Sequence, residues 1–369
     1  NTPDPHDGRF GRDARGNPDG ILFESAMGLV EKALPDPTIA EIMRAMETAQ
    51  KTLWSLGITG IHDYDQRGCF MALQEMEQAG GLGLRVVKGI PHEDFDHAVA
   101  LGLRTGFGSD FLRIGSLKMF ADGALGPNTA AMFQPYEGKS TTGMLFLDAE
   151  QILEIGQKAS ETGISLAIHA IGDRANYEVL KAYDQMRRFE KDHHKPHLRH
   201  RIEHVQIIHP DHLERLAALG IIASVQPIHA TSDYQMVDRF WGSRSRTAYA
   251  FRDLLAANTR VTFGSDAPVE SPNPFWGLHA AVTRQRQDGS PAPEGWHPNQ
   301  RITLQQALAG FTTGPAYAAG VETRLGRLAP GYLADLIVLE QDPFELAPQQ
   351  IFTVQPTATM VAGRFVWEQ

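Results

Sequence analysis

Between residues 38 and 325 the apolar positions alternate between helical spacing and short β-rich runs. Ile39, Ile42, Met46, Ala49, Leu53 and Leu56 recur at helical spacing, behind a Thr38–Glu41 capping pair and ahead of Gly57, which predicts a helix. A second opens at Asp148, with Gln151 as its box partner, and runs to Gly163; a third starts after Thr303 with Leu304, Ala307 and Leu308. Seven segments rich in β-branched and apolar residues read as strands: Ile58–Asp63, Leu84–Ile90, Leu112–Phe120, Ser165–His169, Arg201–Ile207, Ile221–Gln226 and Arg260–Gly264. Strands alternating with helices build a parallel sheet. Closing such a sheet into a barrel takes eight strands, so one is expected to be unrecognised or absent from this chain.

Both ends of the chain break the alternation. Residues 1–37 begin rich in Asp, Gly, Pro and Arg and read as a loop or flap. Residues 326–369 give a turn and strand over Leu328–Leu339, then a strand pair around Gly363, as in part of a small β-sandwich. The expected organisation is therefore a barrel over 38–325 with a β-domain fragment behind it.

Composition narrows the function classes. The chain has 369 residues, 42% hydrophobic and 21% charged, ordinary for a soluble enzyme with a large core. A net charge of −10 with no basic tract argues against nucleic-acid binding. Cys69 is the single cysteine, which rules out an internal disulfide or a cysteine-built zinc site and fits a reducing, cytoplasmic location. No apolar run approaches the roughly 18 residues of a membrane span, and no signal peptide is recognisable. The chain starts at Asn1 rather than a methionine, so a lost N-terminal segment, with any targeting signal in it, is expected.

Four polar residues sit at or just past predicted strand ends: Lys118, His169, His204 and Asp266. In a parallel barrel those ends converge on one face, where active sites lie. One histidine ending an apolar strand is commonly structural; two of them with a strand-borne lysine and a Gly-Ser-Asp terminus point to a shared centre. An ammonium ion among Leu117, Met119 and Phe120 is costly to bury. Carboxylation of Lys118 would give an anionic carbamate that can bridge two cations, and an ion pair with Asp122 is the structural alternative.

The segments Lys118-Met-Phe-Ala-Asp-Gly-Ala-Leu125, Ala167-Ile-His-Ala-Ile-Gly-Asp-Arg-Ala175, Arg201-Ile-Glu-His-Val205 and Gly264-Ser-Asp-Ala-Pro268 resemble the YtcJ-like branch (family 3) of the amidohydrolase superfamily. Leu325-Gly-Arg-Leu-Ala-Pro-Gly-Tyr-Leu-Ala-Asp335 resembles that family's return into its β-sandwich. The resemblance implies a distorted TIM (β/α)₈ barrel, a binuclear divalent site, usually zinc, and hydrolysis of non-peptide C–N bonds in a small-molecule substrate. It further implies carboxylated Lys118 as bridging ligand, and His169 and His204 on the more exposed metal. Asp266 would bind the deeper metal and act as general base. Homodimers are common in the family. The family's first strand ends in His-x-His, and no His-x-His occurs in this chain, so strands two to eight are expected here without the first.

Asp173 and Arg174 follow His169 and are candidate substrate contacts, or a pair with each other. His229, just past Gln226, is a further substrate or carboxylate contact, and Trp241 with Tyr234 is placed in the following loop as a pocket wall. His62 and Asp63 read as supporting residues, Met119, Phe120 and Phe133 as core or pocket wall, and His193-His194 as solvated loop. Competing functions are ester or lactone hydrolysis on the same site, and a catalytically silent barrel with a binding or regulatory role.

Overall fold

The computed structural model describes residues 2–6 and 8–369. The N-terminal region, expected as a loop, contains an antiparallel hairpin, β1 (Gly8–Arg12) with β2 (Pro18–Glu24), and a short helix α1 (Met27–Glu31). Asp13 makes the hairpin possible. Its carboxylate accepts from the amides of Arg15 and Asn17, closing the turn that the Gly and Pro content announced.

The main sheet has seven parallel strands in sequence order: β3 (Gly60–Asp63), β4 (Arg85–Pro91), β5 (Leu112–Phe120), β6 (Leu166–Ala170), β7 (Arg201–His204), β8 (Ile222–Val225) and β9 (Arg260–Phe263). Among the described residues no strand pairs with the outer edge of β3 or of β9. The curled sheet is thus an open, distorted TIM barrel. Helices α2 (Ile39–Ser55), α3 (Arg67–Gln78), α4 (Phe95–Ala100), α5 (Ala149–Thr162), α6 (Asp173–Asp192), α7 (Leu213–Ala218) and α8 (Pro227–Trp241) come in turn along the chain. They are followed by α9 (Phe251–Ala256), α10 (Pro274–Thr283), α11 (Leu304–Phe311) and α12 (Thr313–Ala318). The capping boxes at Thr38, Asp148 and Thr303 all form, and Gly163 ends α5 in the left-handed conformation.

Period-two alternation divides each strand between two environments. Leu117, Met119, Leu166, Ile168, Ile202, Ala223 and Val225 are essentially inaccessible in the core; Leu117, Met119 and Ile168 anchor its centre. The alternate residues, including Ser116, Lys118, Phe120, His169, Arg201 and Glu203, face the barrel lumen. The lumen is polar: the guanidinium of Arg201 donates to His62 Nδ1 at 2.9 Å and to the Tyr64 hydroxyl, and Tyr64 donates to Glu203 at 2.8 Å.

The tail forms an antiparallel sheet, β10 (Leu336–Leu339), β11 (Pro356–Val361) and β12 (Arg364–Glu368), in that order. Polar contacts tie it to the barrel. Arg85 on β4 forms a buried two-point ion pair with Asp335, at 2.6 and 2.8 Å, and Thr359 donates to the Trp54 carbonyl at 2.6 Å.

Candidate functional site

β5, β6 and β7 bring Lys118, His169 and His204 to one end of the lumen, all of them buried. His204 reaches it by a local break. Alternation would send its side chain to the same side as Ile202, but φ of 77° at His204 and 44° at Val205 ends the strand and turns the imidazole back. The rings of His169 and His204 then lie 4.6 Å apart, near perpendicular at 70°.

The hydrogen bonds of these histidines fix which nitrogen is free. His169 donates from Nε2 to the Gly123 carbonyl at 3.0 Å, leaving the Nδ1 lone pair. His204 donates from Nδ1 to Gln226 Oε1 at 2.9 Å, leaving Nε2. Such outer contacts orient metal-binding imidazoles and set their tautomers. Burial pushes the His169 pKa down to about 4 and the His204 pKa well below its ordinary value, so both rings are neutral at physiological pH.

Asp266 follows β9 with φ of 60°, and its carboxylate accepts from His229 Nε2 at 3.3 Å. His204, His229 and Asp266 place one ligating atom each within 4.8 Å of one another. His229 therefore belongs with the ligand candidates, whereas the sequence suggested a peripheral contact. Its other nitrogen faces Glu270 at 3.9 Å. Lys118 Nζ forms no direct hydrogen bond or ion pair among the described residues. It lies 4.6 Å from the Phe120 ring centroid and 4.9 Å from that of Tyr64. Desolvation lowers its pKa, against the pull of Glu203 and Asp266.

Other candidates fall elsewhere. Asp122 does not pair with Lys118; it is buried and accepts from the amides of Ala131, Ile171 and Gly172 at 2.8 to 3.0 Å. Gly172 permits this cradle, because a Cβ there would sit 1.9 Å from the Ala131 carbonyl oxygen. Asp173 is buried and engaged by the Phe133 amide at 2.9 Å, so it serves the loop rather than a ligand. Arg174 stays exposed at the start of α6. Trp241 is fully buried and ends α8, where helical spacing turns it into the core; it offers no surface to a pocket. Asp63 pairs with Lys88 at 2.7 Å, behind the sheet. His193 and His194 lie at the end of α6 and are exposed.

Three functional neighbours went unread in the sequence: Glu203, Gln226 as the partner of His204, and Glu270. Glu203 had a signal, since residues two apart on a strand share a face and Arg201 accompanies it. The other two are brought in by loop geometry.

The model of the amidohydrolase family matches residues 1–367. YtcJ of Bacillus subtilis (strain 168), which carries the name amidohydrolase, is 33% identical over 378 residues, covering 100% of this chain and 69% of that protein. N-substituted formamide deformylase of Arthrobacter pascens is 28% identical over 382 residues, again covering 100% of this chain and 69% of that protein. A crystal structure of an uncharacterized metal-dependent hydrolase from Pyrococcus horikoshii OT3 aligns with TM-score 0.79 and 29% identity, over 94% of this chain and 68% of that one. The chain thus spans roughly two thirds of the length of these relatives. With the family match along its whole length and the polar cluster at the strand ends, the chain belongs to the amidohydrolase family.

Proposed function

We propose that this protein is a divalent-metal-dependent hydrolase of non-peptide C–N bonds. The observation that carries the reading is the approach of His204, His229 and Asp266 to within 4.8 Å, with His169 beside them. The neutral imidazoles of His169 and His204, each with one nitrogen fixed and one lone pair free, are, with a nearby carboxylate, the donor types that hold zinc. The candidate ligands are His169 through Nδ1, His204 through Nε2, His229 and Asp266. A bound divalent ion would lower the pKa of a water towards ~7 and polarise the scissile carbonyl. The names of relatives, an amidohydrolase and a formamide deformylase, support an amide as substrate.

Each residue then has a task. Asp266 takes the proton of the attacking water and delivers it to the departing nitrogen, as a carboxylate at the open side of the cluster can. Gln226 and the Gly123 carbonyl hold His204 and His169 in their ligating tautomers. Lys118, with its pKa lowered by burial, is more readily a free amine, the form that adds to carbon dioxide. The nitrogen would bond the carbon of carbon dioxide and release a proton, and the resulting carbamate would be an anionic group able to hold a second divalent ion.

The test is a panel of N-acyl amines and matched esters, assayed on metal-loaded and chelated protein. Amide turnover lost on chelation and restored by zinc, iron or manganese supports the reading. Undiminished turnover after chelation removes the metal, and ester turnover without amide turnover changes the bond.

A further inference from the structure

Phe120 has no task in the chemistry above. Alternation along β5 sends it to the lumen side, two residues beyond Lys118. There it is 52% exposed, although β5 is flanked by β4 and β6 on both sides. Its ring centroid lies 5.1 Å from that of His169, tilted by 43°, and 4.6 Å from Lys118 Nζ. An open phenyl face thus stands beside the His169 imidazole and the Lys118 amine. Leaving that face in water forgoes hydrophobic stabilisation that an apolar ligand would recover.

A loop tied to the same strand end carries a second exposed aromatic. Phe133 is 47% exposed, and its loop is pinned by two buried carboxylates: Asp122 accepts from the Ala131 amide at 2.8 Å, and Asp173 from the Phe133 amide itself at 2.9 Å. The ring meets Tyr177 edge-on, with centroids 5.5 Å apart. The same Asp122 accepts from Ile171 and Gly172, just past His169, so the loop bearing Phe133 is locked to the strand that bears the site. Burying two carboxylates to fix a solvent-facing aromatic is costly unless its position matters.

We infer that the substrate carries an apolar group of about phenyl size flanking the scissile amide, seated on Phe120 with Phe133 at the rim. This rests on the hydrolase reading above. Phe120 is then a specificity residue, and the polar groups deeper in the site handle the amide alone.

The experiment compares kcat/KM of metal-loaded protein for N-benzylacetamide and N-methyl-phenylacetamide against N-methylacetamide. At least one ring-bearing amide is expected to be preferred by roughly tenfold or more. Phe120→Ala should raise KM for that amide and collapse the preference, Phe120→Leu should retain part of it, and Phe133→Ala should lower it less. Saturation-transfer NMR of N-benzylacetamide with metal-free protein reads binding without chemistry, and its ring-proton signals should weaken in Phe120→Ala. Equal kcat/KM for all three amides overturns the inference, as does an identical fractional loss on all three in the Phe120 variants. If no amide is hydrolysed, the hydrolase reading fails. The NMR arm still decides this proposal: ring-proton signals that weaken in Phe120→Ala sustain it, and ring-proton signals that are absent from the parent protein or unchanged in the variant overturn it.

Discussion

The centre of the seven-stranded sheet and its edges present the site in different ways. β5, β6 and β7 are paired on both sides, and their candidate ligands Lys118, His169 and His204 are buried. β9 is an edge strand, and the Asp266 side chain that follows it is 40% exposed, with His229 as its hydrogen-bond partner. Imidazole positions are set by the interior, through Gly123 and Gln226, whereas the proposed proton carrier is left where solvent and substrate can reach it. A group that must accept and release a proton gains from access; a ligand gains from fixed geometry.

The largest expected effects fall on the chemistry itself. Asp266→Asn should lower kcat by about 10²–10⁴ while leaving the tertiary structure intact, checked by steady-state kinetics and circular dichroism. A loss below tenfold would detach the edge carboxylate from proton transfer. His204→Ala, from the buried half, should remove metal as well as activity, which elemental analysis reads directly.

A smaller effect tests whether the interior fixes the imidazoles. Gln226→Leu removes the acceptor of His204 Nδ1–H and should weaken metal affinity by about 10–100-fold, read by competition with a chromophoric chelator. Unchanged affinity would mean the Gln226 hydrogen bond is incidental.

Packing should follow the same division. Leu117→Ala, at a fully buried site on β5, should destabilise by about 2–5 kcal/mol in chemical denaturation. Val261→Ala on edge strand β9, where burial is partial, removes less packed surface and should cost about 1 kcal/mol. Equal costs would show that the open edge is packed as tightly as the middle.

The strands themselves were largely legible, because apolar runs bounded by capping and glycine signals mark them. Leu112–Phe120 matches β5 residue for residue, whereas the expected strand Arg201–Ile207 stops at His204. Positive φ at His204 and Val205 caused that difference, and nothing in the residue types announces a left-handed histidine. The strand-end position of Lys118, His169, His204 and Asp266 was readable from order alone. The nearness of His229 to Asp266 was not, since it depends on how α8 leaves β8. Trp241 shows the opposite limit: an aromatic assigned to a loop lies on a helix, and helical spacing buries it. In the same way Asp173 gave a correct position in the chain but not its partner, because backbone amides leave no trace in sequence.

Acidification should erode both regions in a definite direction. Burial holds the pKa of His169 at about 4 and that of His62 at about 3. Unfolded imidazoles take up protons near pH 6.5, but the folded ones do not until far lower, so unfolding is favoured as pH falls. Their contribution is complete above about pH 6.5 and is lost progressively towards pH 4, at up to about 1.4 kcal/mol per pH unit for each group. Denaturant midpoints of metal-free protein at pH 8, 6 and 5 should decline in that order. A flat profile would mean these rings are already charged or solvated.

Metal stoichiometry tests the proposed metal centre most directly. Elemental analysis of the purified protein, and of His204→Ala and Asp266→Asn prepared in parallel, reads the site without needing a substrate. At least one equivalent of zinc, iron or manganese is expected in the parent protein, with a loss of at least half of it in His204→Ala. Substoichiometric metal after reconstitution, or full occupancy unchanged in His204→Ala, would contradict it.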